Sequence, residues 1–148
     1  TICYNQNILM LSKDLILKIK ELKLPKGEYI VSGSGILDVL TIRKANDIDL
    51  LVSPELFEYL KDTCEWKEHN SYKTTISHPE GKAEAKKCLD FMKEQYTLSD
   101  IISSAFIYED IPFINLKILL EAKKQLNREK DQEDIKNIEN YLRGSFII

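Results

Sequence analysis

Several residue types are scarce in this sequence, and each scarcity removes a class of protein. The three cysteines, Cys3, Cys64 and Cys88, form no CxxC pair and cannot close a full disulfide framework. That argues against a disulfide-stapled secreted scaffold and predicts a reducing, cytoplasmic setting. There are only two histidines, His69 and His78, and neither has a cysteine or acidic partner at a zinc-ligand spacing, which argues against a zinc site. No apolar run approaches the roughly 20 residues of a membrane helix, and the N-terminal residues lack the basic-then-apolar order of a signal segment. A soluble protein without a membrane partner is expected. Basic charge is not in surplus either: 21 Lys and Arg stand against 24 Asp and Glu, a net charge of −3. A broad basic face for nucleic acid is therefore not expected, and any polynucleotide would have to be held locally.

What is present suits a single globular domain over residues 1–148, with 43% hydrophobic and 30% charged positions to build a core and a solvated surface. Ile8, Leu11, Leu15, Ile19 and Leu22 recur at helical spacing, and Leu24-Pro25-Lys26-Gly27 ends that run. A strand is predicted over 28–32, leading into Gly33-Ser34-Gly35 and then a helix over 36–43. A second strand is predicted over 47–52. Ser53-Pro54-Glu55 after it has the form of a helix start, with a capping serine, proline at the first helical position and an acid in the first turn. Further on, the pattern predicts a hairpin around Asn70-Ser71, a strand over 86–92 and a capping box at Thr97-Leu98-Ser99-Asp100. Residues 107–113 stay ambiguous because Pro112 interrupts them. Helices are predicted over 115–127 and 129–142. The class this implies is α+β, a small mixed sheet flanked by helices with a helical C-terminal third.

Two segments carry chemistry. With only five glycines in the chain, two fall in Gly33-Ser34-Gly35, where a strand becomes a helix. Glycine lets backbone amides approach an anion closely, and a helix N-terminus favours negative charge. The second segment is Asp47-Ile48-Asp49-Leu50. Period-two strand geometry sends both carboxylates to one face, with Cα atoms roughly 7 Å apart. Charges held that close need a proton, a basic partner or a divalent cation, and a carboxylate pair suits Mg²⁺. Arg43 is placed to reach a phosphate or to pair with Asp47.

Taken together, Gly33-Ser34 and the later Asp47-Ile48-Asp49-Leu50 resemble the signature of the polymerase-beta-like nucleotidyltransferase superfamily. The stretch from Gly33 to Ser53 is similar to its small prokaryotic members, which include antibiotic adenylyltransferases and abortive-infection-type toxins. Lys123, Arg128, Glu129, Lys130, Asp131 and Asp134 resemble the Lys…Arg-x-Lys-Asp-x-x-Asp run found in many of them. The stretch from Thr63 to Tyr96 matches only loosely.

That resemblance implies transfer of a nucleoside monophosphate from an NTP, with ATP the expected donor, to an acceptor hydroxyl. Asp47 and Asp49 are implied as Mg²⁺ ligands, and Gly33 and Ser34 as binders of the β- and γ-phosphates. A third carboxylate is implied on a neighbouring strand to complete a second metal site or take the acceptor proton. Asp90 is the first choice, since it interrupts the apolar run Cys88-Leu89-Asp90-Phe91 and an acid there costs stability unless solvated or ligated. Glu84 is the fallback. Lys123, Arg128 and Lys130 are implied to stabilise the leaving pyrophosphate. The acidic balance favours a small-molecule acceptor over tRNA or a protein hydroxyl, and a homodimer is left open. The same residues also fit a catalytically silent nucleotide-binding or protein-interaction module, or an unrelated α+β interaction domain.

Overall fold

A computed structural model describes residues 14–63, 66–69, 72–78, 83–91 and 94–144. The first helix, α1, is described over 14–21 and buries Leu15, Ile16 and Ile19. Leu15 and Ile19 belong to the apolar stripe read from the sequence, with half-buried Leu22 packed against the same core, and Ile16 joins them; Ile8 and Leu11 lie outside the described residues. The chain then enters strand β1 (Tyr29–Ser32), helix α2 (Gly35–Val39), strand β2 (Ile48–Val52) and helix α3 (Pro54–Lys61). Ser53 caps α3 as its sequence implies, its Oγ accepting from the Leu56 N–H at 3.1 Å and donating to Glu28. Strands β3 (Lys67–His69), β4 (Tyr72–His78), β5 (Ala83–Lys86), β6 (Cys88–Phe91) and β7 (Glu94–Thr97) follow. One turn of helix, α4 (Leu98–Ile101), precedes the hairpin of β8 (Phe106–Tyr108) and β9 (Ile111–Phe113). Helices α5 (Leu116–Leu126) and α6 (Gln132–Gly144) close the described chain.

The result is α+β, as expected: a mixed sheet with helices packed against it. Among the described residues the sheet has seven strands in the order β3-β4-β5-β2-β1-β9-β8, and β6 and β7 pair separately. Its centre is an antiparallel β1–β2 pair, with β5 running parallel to β2 and β9 parallel to β1. All four residues of β1 are buried and so are Ile48, Leu50, Leu51 and Val52 of β2, which is what covering on both faces requires. Burying a side chain such as Leu51, which is 0% exposed, contributes about 1.5–3 kcal/mol. Phe57 of α3, Phe113 of β9 and Ile138 of α6 join the same core. Among the described residues no helix is long and apolar enough to cross a membrane.

The boundaries depart from expectation in instructive ways. Helix α2 ends at Val39 rather than running to Arg43, because Thr41 turns into the left-handed region (φ +59°) and the Asp38 carboxylate takes the Ala45 N–H at 2.9 Å. The strand expected over 86–92 is β6, Cys88–Phe91, and a separate strand, β5, ends just before it at Lys86. Ala83–Lys86, which was not expected, lacks the β-branched and aromatic residues that announce a strand, so its place comes from pairing with β2 and β4. The ambiguous segment resolves as a two-residue hairpin whose turn residues, Glu109 and Asp110, both have positive φ, the twist that tight hairpins require. Thr97 and Asp100 do form the expected cap, the Thr97 N–H donating to Asp100 at 2.7 Å.

Candidate functional site

The glycine turn and the acidic strand meet at one end of the β1–β2 pair, where Ser32 stands opposite Asp49. Gly33 follows with φ +66°, and a Cβ built on it would lie 2.5 Å from Asp49 Oδ2. The glycine is therefore required twice, for its backbone angle and for the room it gives the carboxylate. Gly35 is needed for space alone, since its Cβ would come within 2.7 Å of Val31 Cγ1. Ser34, the N-cap residue of α2, does not line the cavity that Ser32 and Gly33 face, and with only five residues in α2 little dipole is available to an anion there.

On the other side of β2, Asp49 stands directly opposite Glu84 on the parallel strand β5. Asp47 lies one residue before β2 begins and is exposed, so it stands at the mouth of the site rather than on the ladder. Burial pushes the Asp49 carboxyl above its ordinary pKa, the neighbouring Glu84 charge adds to this, and Lys86, opposing first, and Lys123 pull it back. Its surroundings thus disfavour the charged form, a cost that a bound cation would offset. Among the described residues no three His, Cys, Asp or Glu side chains converge closely enough to hold an ion alone.

These groups open into a cavity of about 620 Å³. Asp47, Asp49, Glu84 and Asp90 supply its acidic side, Asp90 being exposed on β6. Lys86, Lys123, Arg128 and Lys130 supply its basic side, and Leu89, Leu119, Ala122 and Leu126 an apolar wall. The two segments singled out in the sequence therefore face one space. Cys88 lines it too, but burial and the nearby Asp90 push its thiol upward, away from nucleophilic use. No family model, curated protein or solved structure matches this chain.

The basic side is organised by two buried acids. Asp131 accepts from Arg128 Nε at 2.6 Å and Nη2 at 3.1 Å, and from Lys123 Nζ at 3.2 Å. Asp134 accepts from Arg43 Nε at 2.6 Å and Nη2 at 2.8 Å and pairs with Lys123 Nζ at 3.0 Å. Burial raises both carboxyls, but their cationic partners, Arg128 and Lys123 for Asp131 and Arg43 and Lys123 for Asp134, more than reverse it and leave both below the usual carboxylate range. Arg43 is accordingly corrected: it reaches neither Asp47 nor the cavity but braces α6, its remaining Nη1 donating to the Lys44 carbonyl at 3.0 Å.

Sequence reasoning ranked Asp90 above Glu84, whereas the ladder puts Glu84 beside Asp49. It also passed over Lys86. The available signal was Ala83-Glu84-Ala85-Lys86, in which small apolar and charged residues alternate with the period of a strand whose one face is buried.

Proposed function

We propose that this chain is a Mg²⁺-dependent nucleotidyltransferase that moves a nucleoside monophosphate from an NTP, ATP by expectation, to a hydroxyl of a small-molecule acceptor. The observation that carries the reading is a cavity into which the acids around Asp49 and the bases of residues 123–130 both face. Mg²⁺ is bound through one or two carboxylates together with phosphate oxygens and water, so the Asp49–Glu84 pair, with Asp47 at the mouth, fits it without a closed protein cage. When bound, the cation neutralises the triphosphate and favours attack at the α-phosphorus.

The chain's own residues do the rest. The Gly33 turn admits the phosphates against the strand end, and Lys123 and Lys130 meet the charge that collects on the pyrophosphate. A bond forms from the acceptor oxygen to the α-phosphorus as the bond to pyrophosphate breaks, and the hydroxyl proton passes to a carboxylate. Exposed Asp90 serves an acceptor arriving from solvent, while Glu84 stays with Asp49. Four acids and four bases line the cavity. This balance offers no extended basic surface for the backbone of a tRNA and supports a small acceptor.

Calorimetry of NTP binding, with and without Mg²⁺, tests the reading on the wild type and on Asp47→Asn/Asp49→Asn. Metal-dependent binding that the double substitution abolishes is the expected result. A wild type that binds none of the four NTPs would point to a silent module on the same fold.

A further inference from the structure

Lys123 is the least expected side chain in the cavity. Its residue is only 8% exposed, and an ammonium withdrawn from water costs several kcal/mol unless it is compensated. Asp131 and Asp134, 1% and 4% exposed, provide that compensation from two different elements. Asp131 closes the 3-10 turn Glu129–Asp131, and Asp134 lies in the first turn of α6. The chain reaches this position because Asn127 ends α5 in the left-handed conformation, its N–H capping the Lys123 carbonyl at 2.8 Å, and folds the next residues back beneath Lys123.

The two arginines are consumed by this arrangement. Arg43 and Arg128 each give Nε and Nη2 to one aspartate, and a fork filled by a carboxylate cannot offer the same bidentate grip to a phosphate. Lys123 differs: of three ammonium protons two face the aspartates, and the side chain lines the cavity close enough to act on the charge of Asp49. A flexible four-carbon stem is thereby held in one geometry before any ligand arrives, which lowers the entropy lost on binding.

We infer that Asp131 and Asp134 are positioning residues that fix Lys123 as the anion-binding cation of the cavity, for a polyphosphate, with Arg43 and Arg128 as braces rather than ligands. This rests on the nucleotidyl-transfer reading only for the biological identity of the anion. A purely structural role, stapling α5 to α6, would make the acids matter to stability and not to anion affinity through Lys123.

The experiment is a double-mutant cycle in the Asp47→Asn/Asp49→Asn background, titrated calorimetrically with inorganic tripolyphosphate in metal-free buffer. Lys123→Met lowers affinity at least about tenfold, the scale of one charge-assisted hydrogen bond. Asp131→Asn and Asp134→Asn each cause a comparable loss when Lys123 is present, and less than about twofold when it is already methionine. Losses that simply add, or no loss with Lys123→Met, overturn the inference, as does a background that binds no tripolyphosphate. Thermal melts identify any variant that fails to fold. In that event the ¹⁵N ammonium resonance of Lys123 in otherwise unsubstituted protein decides: it shifts on adding tripolyphosphate, or the inference is wrong. A wild type that binds no Mg·ATP while the cycle succeeds would remove the transferase and leave the anion site, so the two failures are distinct.

Discussion

Asp49→Asn should make the protein more stable while it abolishes NTP binding. Asn keeps the shape that fits over Gly33 and removes the charge that burial and Glu84 both oppose. Like charges opposite one another on adjacent strands cost up to about 1 kcal/mol. For a chain of this size that gain raises the melting temperature by about 2–4 °C. The pH dependence gives the sharper test. A carboxyl whose folded-state pKa lies above its unfolded value binds more protons in the folded chain, so stability falls as pH climbs from the unfolded to the folded pKa. Above that interval the penalty is complete, and below it there is none. Melting followed by circular dichroism should therefore show Asp49→Asn ahead of wild type near neutrality, with the advantage vanishing as pH falls below about 4, the ordinary carboxylate value. A lower melting temperature at neutral pH, or a gain equal at both pH values, would refute the electrostatic account of this residue.

Three other outcomes follow from the same geometry. Gly33→Ala should destabilise by at least about 1–2 kcal/mol through its left-handed backbone alone, and the collision with Asp49 should remove NTP binding, as urea unfolding and calorimetry will report. Glu84→Gln should weaken Mg²⁺-dependent NTP binding more than Asp90→Asn does, because only Glu84 is in register with Asp49; the opposite ranking in calorimetry restores Asp90 as the third carboxylate. Asp134→Asn takes the bidentate partner from Arg43 and leaves Lys123 with Asp131 alone, and should cost about 2–3 kcal/mol in urea unfolding at neutral pH. Since both buried carboxyls have depressed pKa values, their contribution is present above the unfolded value and is lost as pH falls through the folded one, so wild type should lose its lead over Asp134→Asn in acid.

How far the sequence could be read follows from how local each signal is. Ser53, Pro54 and Leu56 lie within one turn, and the cap they form is legible because every partner is near in the chain. Gly33 and Asp49 were legible as types of residue, glycine for close approach and acids at strand spacing, and the structure brings them into contact. Strand β5 was missed because Ala-Glu-Ala-Lys has no strand propensity of its own; its conformation is imposed by β2 on one side and β4 on the other. The same reason put Asp90 ahead of Glu84: a break in an apolar run is visible along the chain, whereas a ladder partner is a tertiary fact. Arg43 was read as reaching a phosphate or pairing with nearby Asp47, yet its partner lies 91 residues away. No local pattern distinguishes those two pairings, since surface arginines near acids are ordinary.

That long span also orders events during synthesis. Asp47, Asp49 and Glu84 are made first, and Lys123 and the two aspartates that hold it come roughly 40–50 residues after Glu84. At typical elongation speeds this separates them by roughly 2–10 s. A nascent chain therefore carries the acids and Lys86 without Lys123 and its two aspartates until α6 has left the ribosome and Asp134 can meet Arg43. The two sides of the cavity are thus translated in order, the acids around Asp49 first and the side that Lys123 supplies last.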